Sequence, residues 1–186
     1  MESCGSPART IVDKSINYRY FPRMTDADSP LRVELKQRRP FASPADEAVV
    51  DLMRTADVVR RRLGEAIEPH GITHQQYNVL RILRGSAPEP LPTLEIATRM
   101  IEQAPGITRL LDRLEAKGLV RRERCKEDRR QVHCWISDEG LALLDRLDEP
   151  VRRAIRSGFQ SLPRATASEL VALLDRVRAG FRDHEA

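Results

Sequence analysis

Apolar residues recur at helical spacing through most of the chain and alternate with polar ones over one short region near residue 134. The first helical stretch opens with Ser43-Pro44-Ala45-Asp46, which offers an N-cap, a proline for the first helical position and an acid in the first turn. Val49, Val50, Met53, Ala56, Val59, Leu63 and Ile67 follow at spacings near three and four until Pro69 and Gly71 end the run. Thr73-His74-Gln75-Gln76 reads as a capping box, with Ile72 placed to staple onto Tyr77. It predicts a helix carrying Val79, Leu80, Ile82 and Leu83 and ending at Gly85. A proline-rich loop (Pro88, Pro90, Pro92) leads to Thr93, expected to cap a short helix with Leu94, Ile96, Ala97 and Met100 inward.

After a turn at 101–103, a further helix is predicted from about Ala104 to Lys117, closing at Gly118. Its apolar positions Ile107, Leu110, Leu111 and Leu114 form one inward stripe, and the opposite face shows Thr108, Arg109, Asp112, Arg113 and Glu115. Two strand-like stretches, Leu119 to Cys125 and Gln131 to Ile136, flank Lys126-Glu127-Asp128-Arg129-Arg130, whose polarity suits a protruding tip. Ser137-Asp138-Glu139 starts a long helix with Leu141, Leu144, Leu147, Val151 and Ile155 on one stripe and a kink expected at Pro150. Thr166-Ala167-Ser168-Glu169 reads as a second capping box, opening a last helix through Leu170, Leu173, Leu174, Val177 and Phe181. Residues 1–42 carry Pro7, Pro22, Pro30 and Pro40 and no helical period. They read as a flexible N-terminal arm, with room for a short ordered piece around Leu31 to Gln37.

A chain of 186 residues fits one domain, taken here as residues 43–183, with a core large enough to need no disulfide staples. Three scattered cysteines fit a reducing compartment. No apolar run approaches the ~18 residues of a membrane span, and the start lacks the apolar stretch of a secretory signal. The expectation is therefore a cytoplasmic protein without a membrane partner. Basic residues outnumber acidic ones, 32 to 28, and the window from Arg99 to Arg130 holds ten of the former and six of the latter. The whole net charge of +4 therefore lies in that window, a distribution suited to a polyanion-binding face. The chain's 4 Phe, 3 Tyr and 1 Trp are too few for an extended base-stacking platform.

Short helix, tight turn, second helix with a polar outer face, then a hairpin with a basic tip: this order describes a winged helix-turn-helix. A helix of that kind fits the major groove of duplex DNA, and an arginine on the wing reaches the neighbouring minor groove. The fold class expected is mainly α with a small β-wing: a winged helix-turn-helix lobe (about 73–137) plus N- and C-terminal dimerisation helices (about 44–68 and 138–183). The dimer is inferred because the stripes at 49–67, 141–159 and 170–181 exceed what one small lobe can cover. A twofold dimer implies a pseudo-palindromic DNA site with half-sites about one helical turn apart.

The stretch Ile107-Thr108-Arg109-Leu110-Leu111-Asp112-Arg113-Leu114-Glu115-Ala116-Lys117-Gly118-Leu119-Val120-Arg121-Arg122 resembles the recognition helix and first wing strand of MarR-type regulators. Asp128-Arg129-Arg130, followed by Cys134, Ile136, Ser137 and Gly140, resembles that family's wing signature, with Ile136-Ser137 in place of the usual Leu-Thr. The resemblance covers roughly residues 44–183. It implies a dimeric transcription regulator, more often a repressor, with a small-molecule or redox input and no cofactor. Arg109 is the candidate for a major-groove base contact, and Arg129 the candidate for the minor groove. Arg113 is either a phosphate contact or an ion-pair partner of Asp112 or Glu115. Thr108 bonds phosphate, base or its own helix backbone, and Asp128 and Arg130 are candidates to pair and stiffen the hairpin. Where the family commonly has serine or threonine, this chain has Ala104, Pro105 and Gly106. Pro105 suits a first turn and Gly106 a close approach of backbone to DNA, but two hydroxyl contacts are lost, so the base preference of relatives does not transfer.

The resemblance also implies a ligand cleft between the dimerising helices and the DNA-binding lobe. His70, His74, Tyr77 and Arg81 are placed to line it, where a small aromatic or phenolic acid would suit them; His70 and His74 read equally as ordinary helix-end residues. Cys125 and Cys134 lie on opposite strands, either as a redox pair or as packing residues. No Cys/His cluster of metal-ligand spacing and no catalytic constellation is legible. Two other functions remain: a low-specificity architectural DNA-binding protein without an effector, and a helical interaction module or enzyme that binds no DNA.

Overall fold

The structure, a computed structural model, describes residues 29–102, 106–125, 128 and 130–182. The chain divides into two compact units, Met1–Thr55 and Ala56–Ala186, and the division falls inside a continuous helix. In the first unit, helix α1 (Pro30–Glu34) is capped by Ser29, whose hydroxyl also donates to Glu47, and it buries Leu31. Glu34 pairs with Arg54 at 2.7 Å. Helix α2 (Pro44–Ile67) begins as its sequence predicts: the Ser43 hydroxyl accepts from the Asp46 N–H at 3.2 Å.

The second unit contains the rest of α2, a 3₁₀ turn (Glu68–His70), α3 (His74–Arg84), β1 (Leu91–Pro92), α4 (Thr93–Arg99), α5 (Ile107–Ala116), β2 (Val120–Arg124), β3 (Val132–Ile136), α6 (Asp138–Phe159) and α7 (Arg164–Arg182). The Thr73–Gln76 capping box is complete, with each side chain bonded to the other's backbone N–H. Helices α3, α4 and α5 pack on one another. Their buried Val79, Leu80, Leu83, Ile96, Leu111 and Leu114 form one core with Cys134 of the sheet and Leu143, Leu144 and Leu147 of α6. The sheet is antiparallel, in the order β1-β3-β2. These elements make the fold mainly α with a small β-wing.

Four local expectations need correction. Leu94 points outward and is 78% exposed, because Ile96 and Met100 take the inward positions of α4. Thr93 does not cap that helix; its hydroxyl donates across to the Val132 carbonyl at 3.3 Å. A third strand, β1, forms within the proline-rich loop, where Leu91 and Pro92 pair with Cys134 and His133. The last helix starts at Arg164 rather than at Thr166, since the Pro163 carbonyl already accepts from the Ala167 N–H at 3.0 Å. Helix α6 runs unbroken through Pro150.

Beyond this core, large apolar side chains stand in solvent. On the three long helices they are Val49, Leu52, Met53, Val58 and Val59 of α2, Ile155 and Phe159 of α6, and Leu170, Val171, Leu173, Val177 and Phe181 of α7. Helix α7 buries no residue at all. Among the described residues no helix is long and apolar enough to cross a membrane.

Candidate nucleic-acid interface

Helix α5 is amphipathic by construction. Leu111 and Leu114 are fully buried, and Ile107 and Leu110 pack partly buried against the same core. Thr108, Arg109, Asp112 and Arg113 are thereby turned to solvent. The helix starts at Ile107, not near Ala104, because Gly106 as its N-cap has φ +104°, a left-handed conformation that breaks the ladder. A Cβ on Gly106 would meet nothing within 4 Å, so backbone conformation rather than crowding asks for glycine there. Pro105 lies outside the described residues, and the helix begins after it. The helix ends in a Schellman pair, the Leu119 N–H bonded to the Leu114 carbonyl at 3.0 Å and the Gly118 N–H to the Glu115 carbonyl at 2.8 Å.

The charges on this face are unevenly paired. Arg122 of β2 reaches back to α5 and donates to Glu115 at 2.9 and 2.5 Å and to Asp112 at 2.7 Å. The hydrogen bond to Glu115 raises the Arg122 pKa, against the opposing effect of burial, and Asp112 raises it further. Arg113 pairs with neither acid. Among the described residues Arg109 and Arg113 make no ion pair, and the Thr108 hydroxyl bonds no backbone group.

The wing carries further cations. In the register Arg122 faces Cys134 and Arg121 faces Trp135. The outer face carries Arg121 stacked 4.4 Å over the Trp135 ring, with His133 edge-on to it at 6.0 Å. At the tip, Asp128 holds the turn through the Arg130 main chain and the Gln131 side chain, and among the described residues no arginine head group pairs with it. One carboxylate oxygen accepts from the Arg130 N–H at 3.0 Å, the other from the Gln131 side chain at 3.2 Å. The expected Asp128–Arg130 pairing is thus a backbone contact, and the Arg130 side chain is exposed. Arg129 lies outside the described residues.

The candidate ligand residues are dispersed. His74 lines a cleft of about 510 Å³ with Arg60, Arg61, Thr73, Gln75 and Arg113 among its walls. Tyr77 is buried in the core, its hydroxyl accepting from Arg81 at 3.4 Å, and neither residue lines that cleft. His70 is exposed on the 3₁₀ turn and is likewise absent from the cleft wall. Arg60 is held at 2.8 Å by Glu102, whose carboxyl it keeps below the usual range despite partial burial. Arg113 is the cleft arginine that also belongs to the exposed face of α5.

Sequence reasoning missed Arg122, Arg60 and Arg61. Strand parity carried a signal for Arg122: Val120 is buried, and every second residue of β2 shares its face. A cation on that face needs a partner. For Arg60 and Arg61 no sequence signal separates them from other arginines of α2. Cys125 and Cys134 are not opposite each other. The Cys125 N–H donates to the carbonyl of Gln131, just before β3 and three residues from Cys134, roughly 10 Å at strand rise and beyond disulfide reach. Burial pushes the Cys134 thiol pKa up. Among the described residues no group of His, Cys, Asp or Glu is arranged to hold a metal ion.

The chain is similar to known proteins in sequence and in fold. The MarR family model matches residues 72–132, from the turn before α3 to the start of β3. The crystal structure of a MarR transcription factor from Planctomyces limnophilus is 41% identical with a TM-score of 0.58, and the match covers 73% of this chain and 98% of that one. The HTH-type transcriptional regulator TtmR of Methylorubrum extorquens (strain PA1) is 36% identical over 114 residues, 61% of this chain and 54% of TtmR. The chain therefore spans about half the length of that relative. Sco3205, a MarR family regulator from Streptomyces coelicolor solved in complex with DNA, shares the fold, with a TM-score of 0.66 at 24% identity over 76% of this chain and 94% of that one. With its recognition-type helix, its wing and a 41% identical structural relative matched along nearly its whole length, the chain belongs to the MarR family of transcription regulators, proteins that are not enzymes.

Proposed function

We propose that this protein is a dimeric, sequence-specific regulator that binds duplex DNA, acts as a repressor and is released by a small anionic aromatic ligand. The observation that carries the reading is a pair of arginines, Arg109 and Arg113, that make no ion pair among the described residues and stand on the exposed face of a helix whose carboxylates are bound elsewhere. Cations so exposed suit major-groove bases and phosphates, with Thr108 beside them and Gly106 and Pro105 at the helix start. Asp128 shapes the wing tip, and Arg129 and Arg130 supply its charge for the adjacent minor groove. Residues 43–183 act as one MarR-type domain, with its DNA-binding lobe at about 73–137 and residues 1–42 as an arm.

The uncovered stripes of α2, α6 and α7 support a homodimer, since they hold enough apolar surface to make a lone chain unfavourable. A twofold particle reads a pseudo-palindromic operator, and its occupancy excludes other proteins from that stretch of DNA. The cleft beside Arg113 and His74 supports the release step. A carboxylate held by Arg113 takes a cation away from the DNA-facing side, and binding the two ligands becomes mutually unfavourable.

A gel shift with the DNA upstream of the protein's own gene tests this, run against random competitor at several salt concentrations. Expected are a saturable complex that survives excess competitor and weakens steeply with salt, at a twofold protein stoichiometry. Binding that random DNA competes away equally would favour an architectural role. No binding at low salt would remove DNA from the function altogether.

A further inference from the structure

Asp112 and Glu115 sit three residues apart on one side of α5, so they are like charges in mutual reach, and Asp112 is also three residues from Arg109. Left alone, these acids would repel each other, attract Arg109 and present negative charge to an approaching phosphate backbone. Arg122 removes all three effects. Its side chain is only 19% exposed, and its two nitrogens Nε and Nη2 hold both carboxylates. The guanidinium comes from a different element, β2, where its neighbour across the sheet is the buried Cys134. It reaches the acids from the strand and, unlike Arg109 and Arg113, has its side chain largely buried and its charge already engaged.

We propose that Arg122 is an internal counter-ion of the recognition helix, a positioning residue that contacts no DNA and sets affinity by keeping Asp112 and Glu115 off Arg109 and Arg113. The inference rests on the DNA-binding reading above. Its role differs from that of a simple strut between helix and wing. A strut is lost whenever Arg122 is lost, whereas a counter-ion is needed only while the acids are present. Removing the acids as well should therefore restore what removing Arg122 destroys.

The test measures fluorescence anisotropy of a labelled operator duplex with the full chain as wild type, Arg122→Met, Asp112→Asn/Glu115→Gln and the triple variant, across a salt series. Arg122→Met should weaken binding by about tenfold or more, the scale set by like charges brought against a phosphate backbone. Its salt slope should also fall in magnitude by about 1, as Arg109 turns to Asp112. The triple variant should return to within about threefold of wild type, because it leaves no unpaired charge behind. Should Arg122→Met fail to fold, as judged by circular dichroism, the Asp112→Asn/Glu115→Gln variant still decides. With the acids neutral it should bind at least as tightly as wild type. A triple variant as weak as Arg122→Met, or a double variant that binds more weakly than wild type, would overturn the counter-ion role while leaving DNA binding intact. A wild type that binds no duplex at low salt would instead defeat the reading on which the role rests.

Discussion

Gly140 and Leu119 approach so closely that a Cβ on Gly140 would lie 2.4 Å from the Leu119 carbonyl oxygen and 2.8 Å from Cγ1 of Ile136. The approach is held by Ser137, whose N–H donates to the Leu119 carbonyl at 3.1 Å while its hydroxyl donates to the Gly118 carbonyl at 2.6 Å. The same hydroxyl accepts from the Gly140 N–H at 3.0 Å, capping α6. These bonds seat the first turn of α6 on the junction between α5 and the wing, which gives the Ser137 and Gly140 of the family signature a physical meaning.

Because the obstacle is a main-chain oxygen, it cannot move aside as a flexible side chain would. Gly140→Ala should lower stability by about 2 kcal/mol, the cost of overpacking at a tight contact. A urea titration reads it as a lower midpoint with an unchanged slope. An unaltered midpoint would show that α6 can lift off the wing at no cost.

Arg84 of α3 and Asp148 of α6 form a two-pronged pair at 3.2 and 2.9 Å, with Asp145 a further 3.7 Å contact of the same arginine. The Arg84 hydrogen bond lowers the Asp148 pKa despite partial burial. A carboxyl whose folded pKa is depressed contributes stability that is complete above its unfolded value, near 4, and is lost as pH falls through the lower folded value. Wild type and Asp148→Asn should therefore differ in melting temperature at pH 7 and converge as pH falls through that lower folded value, the difference being modest because the pair is partly solvated. A gap that stays constant down to pH 2 would mean that ionisation of Asp148 plays no part.

Arg109 and Arg113 should separate in their effects on DNA binding. Arg109→Ala is expected to cost about 1–3 kcal/mol and to relax preference at one base position per half-site. Arg113→Ala should weaken all duplexes alike and reduce the salt slope by about 1. Binding measured on a panel of single-base operator variants distinguishes the two patterns. An Arg109→Ala protein with wild-type affinity and preference would take that residue out of the interface.

Oxidation should not join Cys125 to Cys134. Treatment with diamide followed by mass spectrometry of proteolytic peptides should yield no Cys125–Cys134 cross-link. Iodoacetamide should modify the half-buried Cys125 in the native protein, but Cys134 only after denaturation, since burial both hides its thiol and disfavours the thiolate. A native cross-link between them would require the β2–β3 register to slip.

Local sequence determined the helices, the hairpin and the choice of inward residues along α5, because each rests on interactions within a few positions. The period of Ile107, Leu110, Leu111 and Leu114, the Thr73–Gln76 box and the Ser43 cap are satisfied by neighbours in the chain, so they were legible without a fold. Boundaries were misplaced where a competing local group intervened, as at Gly106, whose left-handed backbone delayed α5, and at Pro163, whose carbonyl joined α7. The tertiary structure alone decided which charges remain available. Arg122 and Glu115 are seven residues apart and Arg84 and Asp148 sixty-four, and both pairs meet only because separate elements pack. The same packing drew Tyr77 into the core, left His74 on the cleft and exposed Leu94. An ion pair or a cleft is a relation between surfaces brought together by the burial of apolar stripes, and periodicity along one element carries no information about what its other face will meet.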